Sequence, residues 1–219
     1  MFNAQVKQDV FVNKILQKNE GFFVDIGAGT GGLPTQDPAF YSNTYFFERY
    51  RGWKGIAIDY DKNWYESINK KRSCKCVCED LLLKNINDVL EGCGCPDEID
   101  YLSIDVDDAQ MKVFNDFNFD KYKFKVLTLE HNLFQSEPSG FQNHTEDHKA
   151  KIKLEYDTYR KTLHKHGYHI LWGNVILDGY GPVEDWWVNE EIYSQYKKYL
   201  KQDINCKEVD NESFIYRPL

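Results

Sequence analysis

The chain has 219 residues and a mass of 25.9 kDa, is 42% hydrophobic and 28% charged, and has a net charge of -8. That size and balance fit one globular domain with a proper core, and the acidic charge argues against a duplex nucleic-acid partner, which needs a basic footprint. No apolar run approaches the ~20 residues of a membrane span, and the polar start MFNAQVKQDVFVNKILQ is no signal peptide, so a cytoplasmic, reducing location is expected.

In chain order, QDVFVNKILQ carries a short helical stripe at Val10, Phe11, Ile15 and Leu16, within an N-terminal helix expected over about 5–18. GFFVDIGAG reads as a buried strand, and Pro34 and Pro38 exclude regular helix over 33–41. Ser42 or Asn43 is the expected N-cap of the helix TYFFERYR, which stops at Gly52. Strands follow at GWKGIAIDY, CKCVCEDLL, IDYLSIDV and FKVLTLEHN, separated by helices near 63–72, at INDVLEG and from Ala109 to Phe117. The basic stretch 62–72 is expected to form a solvated helix face. A long helix over 148–167, a sixth strand YHILWGNVIL, a helical EDWWVNEEIYSQYKKYLKQ and a last strand at ESFIY complete the reading. No repeat, low-complexity tract or linker breaks the chain. The βα alternation defines an open, mostly parallel α/β sheet flanked by helices, with ligands expected at the carboxyl ends of its strands.

The cysteines are expected to be thiols. Five of them cluster as Cys74, Cys76, Cys78 and Cys93, Cys95. Their C-x-C spacing differs from the C-x-x-C of zinc knuckles, and a zinc or disulfide staple is the alternative.

The turn FFVDIGAGTGG fits two ligands. Gly27, Gly29 and Gly32 have dinucleotide spacing; Gly27, Gly29 and Gly31, led by Asp25, have that of S-adenosylmethionine. A dinucleotide site needs a helix opening inside the glycine motif to receive the pyrophosphate. Here prolines follow at once, and Asp25 would repel a diphosphate. The same carboxylate suits a ligand bearing an ammonium and a sulfonium. Asp59 and Asp80 end the second and third strands, where one acid serves ribose hydroxyls and the other an adenine amino group; helix capping is the competing role for each.

QDVFVNK, FFVDIGAG, SNTYFFERYRGWKGIAID, IDYLSIDVD, FKVLTLEHN, HGYHI and EDWWVN, in this order from about Gln8 to Asn189, resemble the FkbM-type methyltransferase family. The resemblance implies a single Rossmann-like class I methyltransferase domain over 1–219 with a seven-stranded sheet. S-Adenosylmethionine would be the donor and a hydroxyl of a sugar or glycan the acceptor. By matching position, Asp25, Gly27, Ala28, Gly29 and Gly31 would line the methionine end of the cofactor, and Ser42 and Asn43 would close over it. Asp59 would hold the ribose, Tyr60 would lie against the adenine, and Asp80 with Leu81 would bracket it. Gln8 and Asp9 would help cover the site, or cap. The family shows Glu-Gly after IDV where this chain has Asp107 and Asp108.

Methyl transfer needs alignment of the acceptor oxygen and removal of its proton. SIDVDD and LEHN end neighbouring strands in such a fold. Asp105, Glu130 and His131 are therefore candidate ligands for Mg²⁺ or Mn²⁺, and Asp105 is also a candidate cofactor contact. Asp107, Asp108 or a non-ligating His131 are candidate bases. His144 and His148 are expected at a loop-to-helix junction, and His164, His166 and His169 at a helix end. Trp186 and Trp187 are candidates for an aromatic floor under a sugar, or for core. Methylation of a protein or nucleic acid, and a non-catalytic cofactor-binding module, are the alternative functions.

Overall fold

The computed structural model describes residues 2–29, 37–136 and 144–211. The chain divides into two compact units, Met1–Lys125 and Val126–Leu219.

The first unit runs α1 (Gln8–Leu16), β1 (Phe22–Ile26), α2 (Tyr45–Arg51), β2 (Lys54–Asp59), α3 (Lys62–Ile68), β3 (Lys75–Cys78), α4 (Ile86–Cys93), β4 (Glu98–Ile104) and α5 (Gln110–Asp116). Its strands lie in the order β3-β2-β1-β4, all parallel, with Asp25 opposite Ala57 on one side and Ser103 on the other. Val24, Ile26, Ile56, Ile58, Leu102 and Ile104 are buried, the continuous apolar signature of parallel strands covered on both faces. The helices start and stop where local chemistry directs. Asp61 and Asn85 cap α3 and α4 by accepting the amides of Asn63 and Asn87, and Gly52 and Gly94 end α2 and α4 in left-handed backbone. Ile86 and Leu90, one turn apart, give α4 its buried stripe.

The second unit begins within β5 (Lys123–Glu130) and continues through α6 (Glu146–Lys165), β6 (Tyr168–Leu177), β7 (Gly181–Asn189), α7 (Glu190–Tyr196) and the two-residue β8 (Lys201–Gln202). Here the order is β5-β7-β6-β8, with β7 antiparallel to both neighbours and β8 parallel to β6.

Three expectations are corrected. Among the described residues eight strands form rather than seven, and the pairing is mixed. EDWWVN is strand, not helix: Trp186 and Trp187 are fully buried, Trp186 stacks on Trp172 at 5.5 Å, and the helix starts only at Glu190. The helix near 63–72 ends at Ile68, and Arg72 is buried, not on a solvated face. The proposed strand at ESFIY lies outside the described residues.

Candidate functional site

The glycine turn is shaped by backbone crossings at the tip of β1. Gly27 has φ +87°, and its amide and that of Ala28 both donate to the Ile58 carbonyl at 2.9 and 3.0 Å. A Cβ on Gly27 would stand 1.5 Å from the Asp105 carbonyl oxygen, so only glycine fits. Two residues on, the Gly29 amide donates to Asp59 Oδ2 at 2.7 Å, and a Cβ there would meet the same oxygen at 2.4 Å. Asp59 Oδ1 accepts from the Asp61 amide at 2.8 Å. Burial pushes the Asp59 carboxyl up, against the lowering effect of the Asp61 and Gly29 amides. Asp59 thus fastens the turn as well as ending β2. Gly31 lies outside the described residues.

Behind the turn stands a polar network. Asp25, 1% exposed, accepts from Thr44 Oγ1 at 2.6 Å. Thr44 Oγ1 accepts from Arg72 Nη2 at 3.0 Å, Ser42 Oγ accepts from Arg72 Nη1 at 3.3 Å, and Arg72 Nε pairs with Glu48 Oε2 at 2.7 Å. Ser42 also takes the Tyr45 amide at 3.0 Å, which starts α2, and Asn43 Nδ2 donates to Ser103 Oγ at 3.0 Å. Burial pushes the Asp25 carboxyl up, while Thr44, Arg72 and Ser103 work the other way. For Glu48, burial is outweighed by Arg72, and its carboxyl lies below its ordinary value. The expected residues Asp25, Ser42 and Asn43 are therefore brought together, but Asp25 is enclosed by Thr44 instead of lying open.

Thr44, Glu48, Arg72 and Ser103 are what the sequence reading missed. Arg72 sits in a lysine-rich run, and its partner Glu48 is 24 residues away, so no local spacing signals the pair.

Ala28 packs with Ala57, Trp64 and Ile68, joined by Cys74 and Cys76. Tyr60 is 76% exposed beyond β2. Past β3, Leu81 is buried, Leu82 and Leu83 are exposed, and Asp80 closes its own turn by accepting the Leu82 amide at 2.8 Å. Asp107 and Asp108 are exposed on the 3₁₀ turn Asp107–Ala109, and the left-handed backbone falls on Asp107, φ +44°. Aspartate tolerates that conformation, so this turn requires no glycine.

Among the described residues, no group of three or more His, Cys, Asp or Glu is placed to hold a metal ion. In the second unit, His131 is buried and its Nδ1 accepts the Leu133 amide at 3.1 Å. The ring proton must then sit on Nε2, which faces Asp185 Oδ1 at 3.6 Å, with the Tyr156 ring edge-on at 5.0 Å. No imidazole lone pair is left for a cation or for a hydroxyl proton. His131 Nε2 makes no hydrogen bond of its own, and among the described residues His131 belongs to no group of three or more that could hold a metal ion. The expected ligands Asp105, Glu130 and His131 therefore do not form such a group.

Elsewhere, Gln8 and Asp9 are buried and tie down the N-terminal segment: Gln8 Oε1 takes the Val6 amide at 3.0 Å, and Asp9 Oδ2 takes those of Asn3 and Ala4 at 2.6 and 3.1 Å. Trp186 and Trp187 are core, not a sugar floor; Trp186 Nε1 donates to the buried Glu184 at 2.7 Å. Thr145 caps α6, His144 stacks on His148 at 4.3 Å, and His148 Nε2 meets Gln135 Oε1 at 2.8 Å. His164 bonds the Tyr168 carbonyl at 3.1 Å, and His169 pairs with Glu190 at 2.7 Å. The six cysteines are free thiols, and burial pushes Cys95 up to about 12. No helix among the described residues is long and apolar enough to cross a membrane.

No family model and no curated protein matches the chain. Among solved structures it is similar to a TehB-like SAM-dependent methyltransferase from Corynebacterium glutamicum (8% identity, TM-score 0.47, covering 84% of this chain and 88% of that one). It is also similar to protein LPL1258 from Legionella pneumophila, family-model DUF519 (9% identity, TM-score 0.48, covering 91% and 92%).

Proposed function

We propose that this chain is an S-adenosylmethionine-dependent O-methyltransferase of the FkbM type, acting on a hydroxyl of a sugar or glycan, with 1–219 working as one catalytic domain. The observation that carries the reading is the tip of β1. A left-handed Gly27 is wedged against the Asp105 carbonyl, Gly29 is pinned to Asp59, and an enclosed acid, Asp25, lies behind them. Among the described residues after β1, the first α-helix begins only at Tyr45, so no described helix N-terminus serves a pyrophosphate at the turn. An acid behind the turn favours a cationic ligand over a dinucleotide.

The donor supplies an electrophilic methyl group on a cationic sulfur. The chain's part is to hold that donor, exclude water and align the acceptor. Gly27 and Gly29 let the backbone approach the ligand, and Asp59 offers its remaining lone pairs to ribose hydroxyls. The exposed Tyr60 and Leu82 provide apolar surface for the base, next to the buried Leu81 and to Asp80. As the acceptor oxygen bonds the methyl carbon and the carbon–sulfur bond breaks, the hydroxyl proton goes to a carboxylate. Asp107 and Asp108, exposed just past β4, and Asp105 are the candidates for that role. Among the described residues no metal-holding group of three or more His, Cys, Asp or Glu forms, and no step is assigned to a metal.

The test is thermal denaturation with S-adenosylmethionine against NAD. At a hundredfold excess over Kd, the true ligand stabilises by about 2.7 kcal/mol, a rise in Tm of roughly 5–10 °C for a chain of this size. A rise with NAD and none with S-adenosylmethionine overturns the proposal. Transfer of labelled methyl to free sugars, nucleotide-sugars or glycans separates an enzyme from an idle cofactor-binding module.

A further inference from the structure

The buried network behind the glycine turn is fed by two obligate donors, the Arg72 guanidinium and the Asn43 amide group. A guanidinium can only donate, so Thr44 Oγ1 must accept from Arg72 Nη2 at 3.0 Å. Its own proton is then left for Asp25 Oδ2, 2.6 Å away. On the other side, Ser103 Oγ accepts from Asn43 Nδ2 at 3.0 Å, and the Ser103 hydroxyl turns to Asp25, its partner in strand register. Two hydroxyls, each accepting from a donor behind it, have protons to give to one carboxyl. Hydroxyls that donate to a carboxyl favour its charged form, so both side chains work to keep the proton off Asp25.

Burial and the charge balance push the Asp25 carboxyl up, and Thr44, Arg72 and Ser103 work against them. Arg72 is spent on Glu48 through Nε at 2.7 Å, so two buried acids share one guanidinium and one negative charge is left over. The charged and titratable groups that interact with Asp25 are Arg72, on the segment leading to β3, Asp59 at the end of β2, and Cys76 on β3, with Glu48 of α2 behind Arg72. Among these groups Arg72 is the cation.

We infer that Arg72 is a positioning residue of the donor site: it aims the Thr44 hydroxyl at Asp25, and so keeps Asp25 a carboxylate whose charge favours the cationic sulfur of the donor over the neutral thioether of the spent one. The inference rests on the donor proposed above and extends it to product release. Removal of the methyl group deletes the positive charge that the enclosed carboxylate attracts, and the demethylated product is held less tightly.

The readout is the ratio of Kd values for S-adenosylhomocysteine and S-adenosylmethionine, measured by titration calorimetry. A substitution that merely loosens the site weakens both ligands alike and leaves the ratio unmoved. Thr44→Val keeps the shape and deletes the proton donor to Asp25; the ratio should fall by roughly fivefold at neutral pH, the scale of one screened charge–charge interaction. Thr44→Ser should restore it, and Arg72→Lys, which lacks the fork, should lower it. Equal weakening of both ligands in Thr44→Val, or an unchanged ratio, overturns the inference.

If Thr44→Val does not fold, the wild-type chain carries the test. The ratio should fall as pH is lowered through the titration of Asp25, followed by its ¹³Cγ resonance, and a flat ratio across that titration overturns the inference equally. Failure of the wild type to bind either ligand at any pH would instead defeat the proposed donor.

Discussion

Gly27→Ala is expected to lower the melting temperature by roughly 10 °C and to abolish binding of the methyl donor. Two costs combine. The left-handed backbone at φ +87° disfavours any Cβ, and the new carbon would fall 1.5 Å from the Asp105 carbonyl oxygen, which is main chain and cannot swing aside. Relief requires parting β1 from the segment after β4, at the point where the Asp105 amide bonds the Ile26 carbonyl at 2.9 Å. A steric conflict of this kind belongs to the rare class costing on the order of 4 kcal/mol, and a chain of this length loses about 2–4 °C per kcal/mol. Gly52→Ala is the control. Gly52 is also left-handed, at φ +69°, but nothing lies within 4 Å of its Cβ position, so it should cost only about 1 kcal/mol. Equal melting temperatures for the two variants, read by circular dichroism, would show that the crossing at Gly27 is not as described.

The second large effect belongs to the second unit. Asp185, buried in β7, accepts from Arg160 Nε and Nη2, each at 2.8 Å, and from the Asn174 amide at 2.8 Å. Asn174 is left-handed, φ +51°, where β6 loses register with β7, so the carboxylate holds the irregular backbone in place. Arg160→Leu removes the paired cation and leaves a charge buried, which costs about 3–5 kcal/mol.

The pH dependence has a definite sign. Burial alone would push the Asp185 carboxyl up; His131 and the Arg160 guanidinium outweigh it and hold it well below the usual carboxylate range. A carboxyl depressed in the folded state contributes stability above its unfolded pKa and loses it as pH falls through the folded value. The stability gap between wild type and Arg160→Leu should therefore be full at neutral pH and narrow in acid. Urea denaturation across that range reads it, and a gap that widens in acid would contradict the assignment.

Features that depend on neighbours along the chain were legible in the sequence. The β6 segment YHILWGNVIL has its expected bounds, α2 stops at its glycine, and among the described residues from Asp37, with Pro38, helix begins only at Tyr45. The strand-ending acid Asp59 was picked out because it closes an apolar run. β7 was misread for a physical reason. It is buried along most of its length, so no alternation marks it, and it carries Glu184 and Asp185 in its interior, where a buried strand is expected to be apolar. Partners that meet those acids in three dimensions, Trp186 Nε1 for Glu184 and Arg160 with the Asn174 amide for Asp185, make them tolerable there.

The sequence by itself determined the alternating α/β plan of the first unit and the glycine turn with its acid, because period, capping and turn chemistry act over a few residues. Tertiary structure alone decided that Arg72 leaves its lysine-rich run to neutralise Glu48, and that His131 has its lone pair taken by a backbone amide. Whether a side chain is free to do chemistry depends on which groups fold back to satisfy it, and those partners come from segments that no local spacing connects.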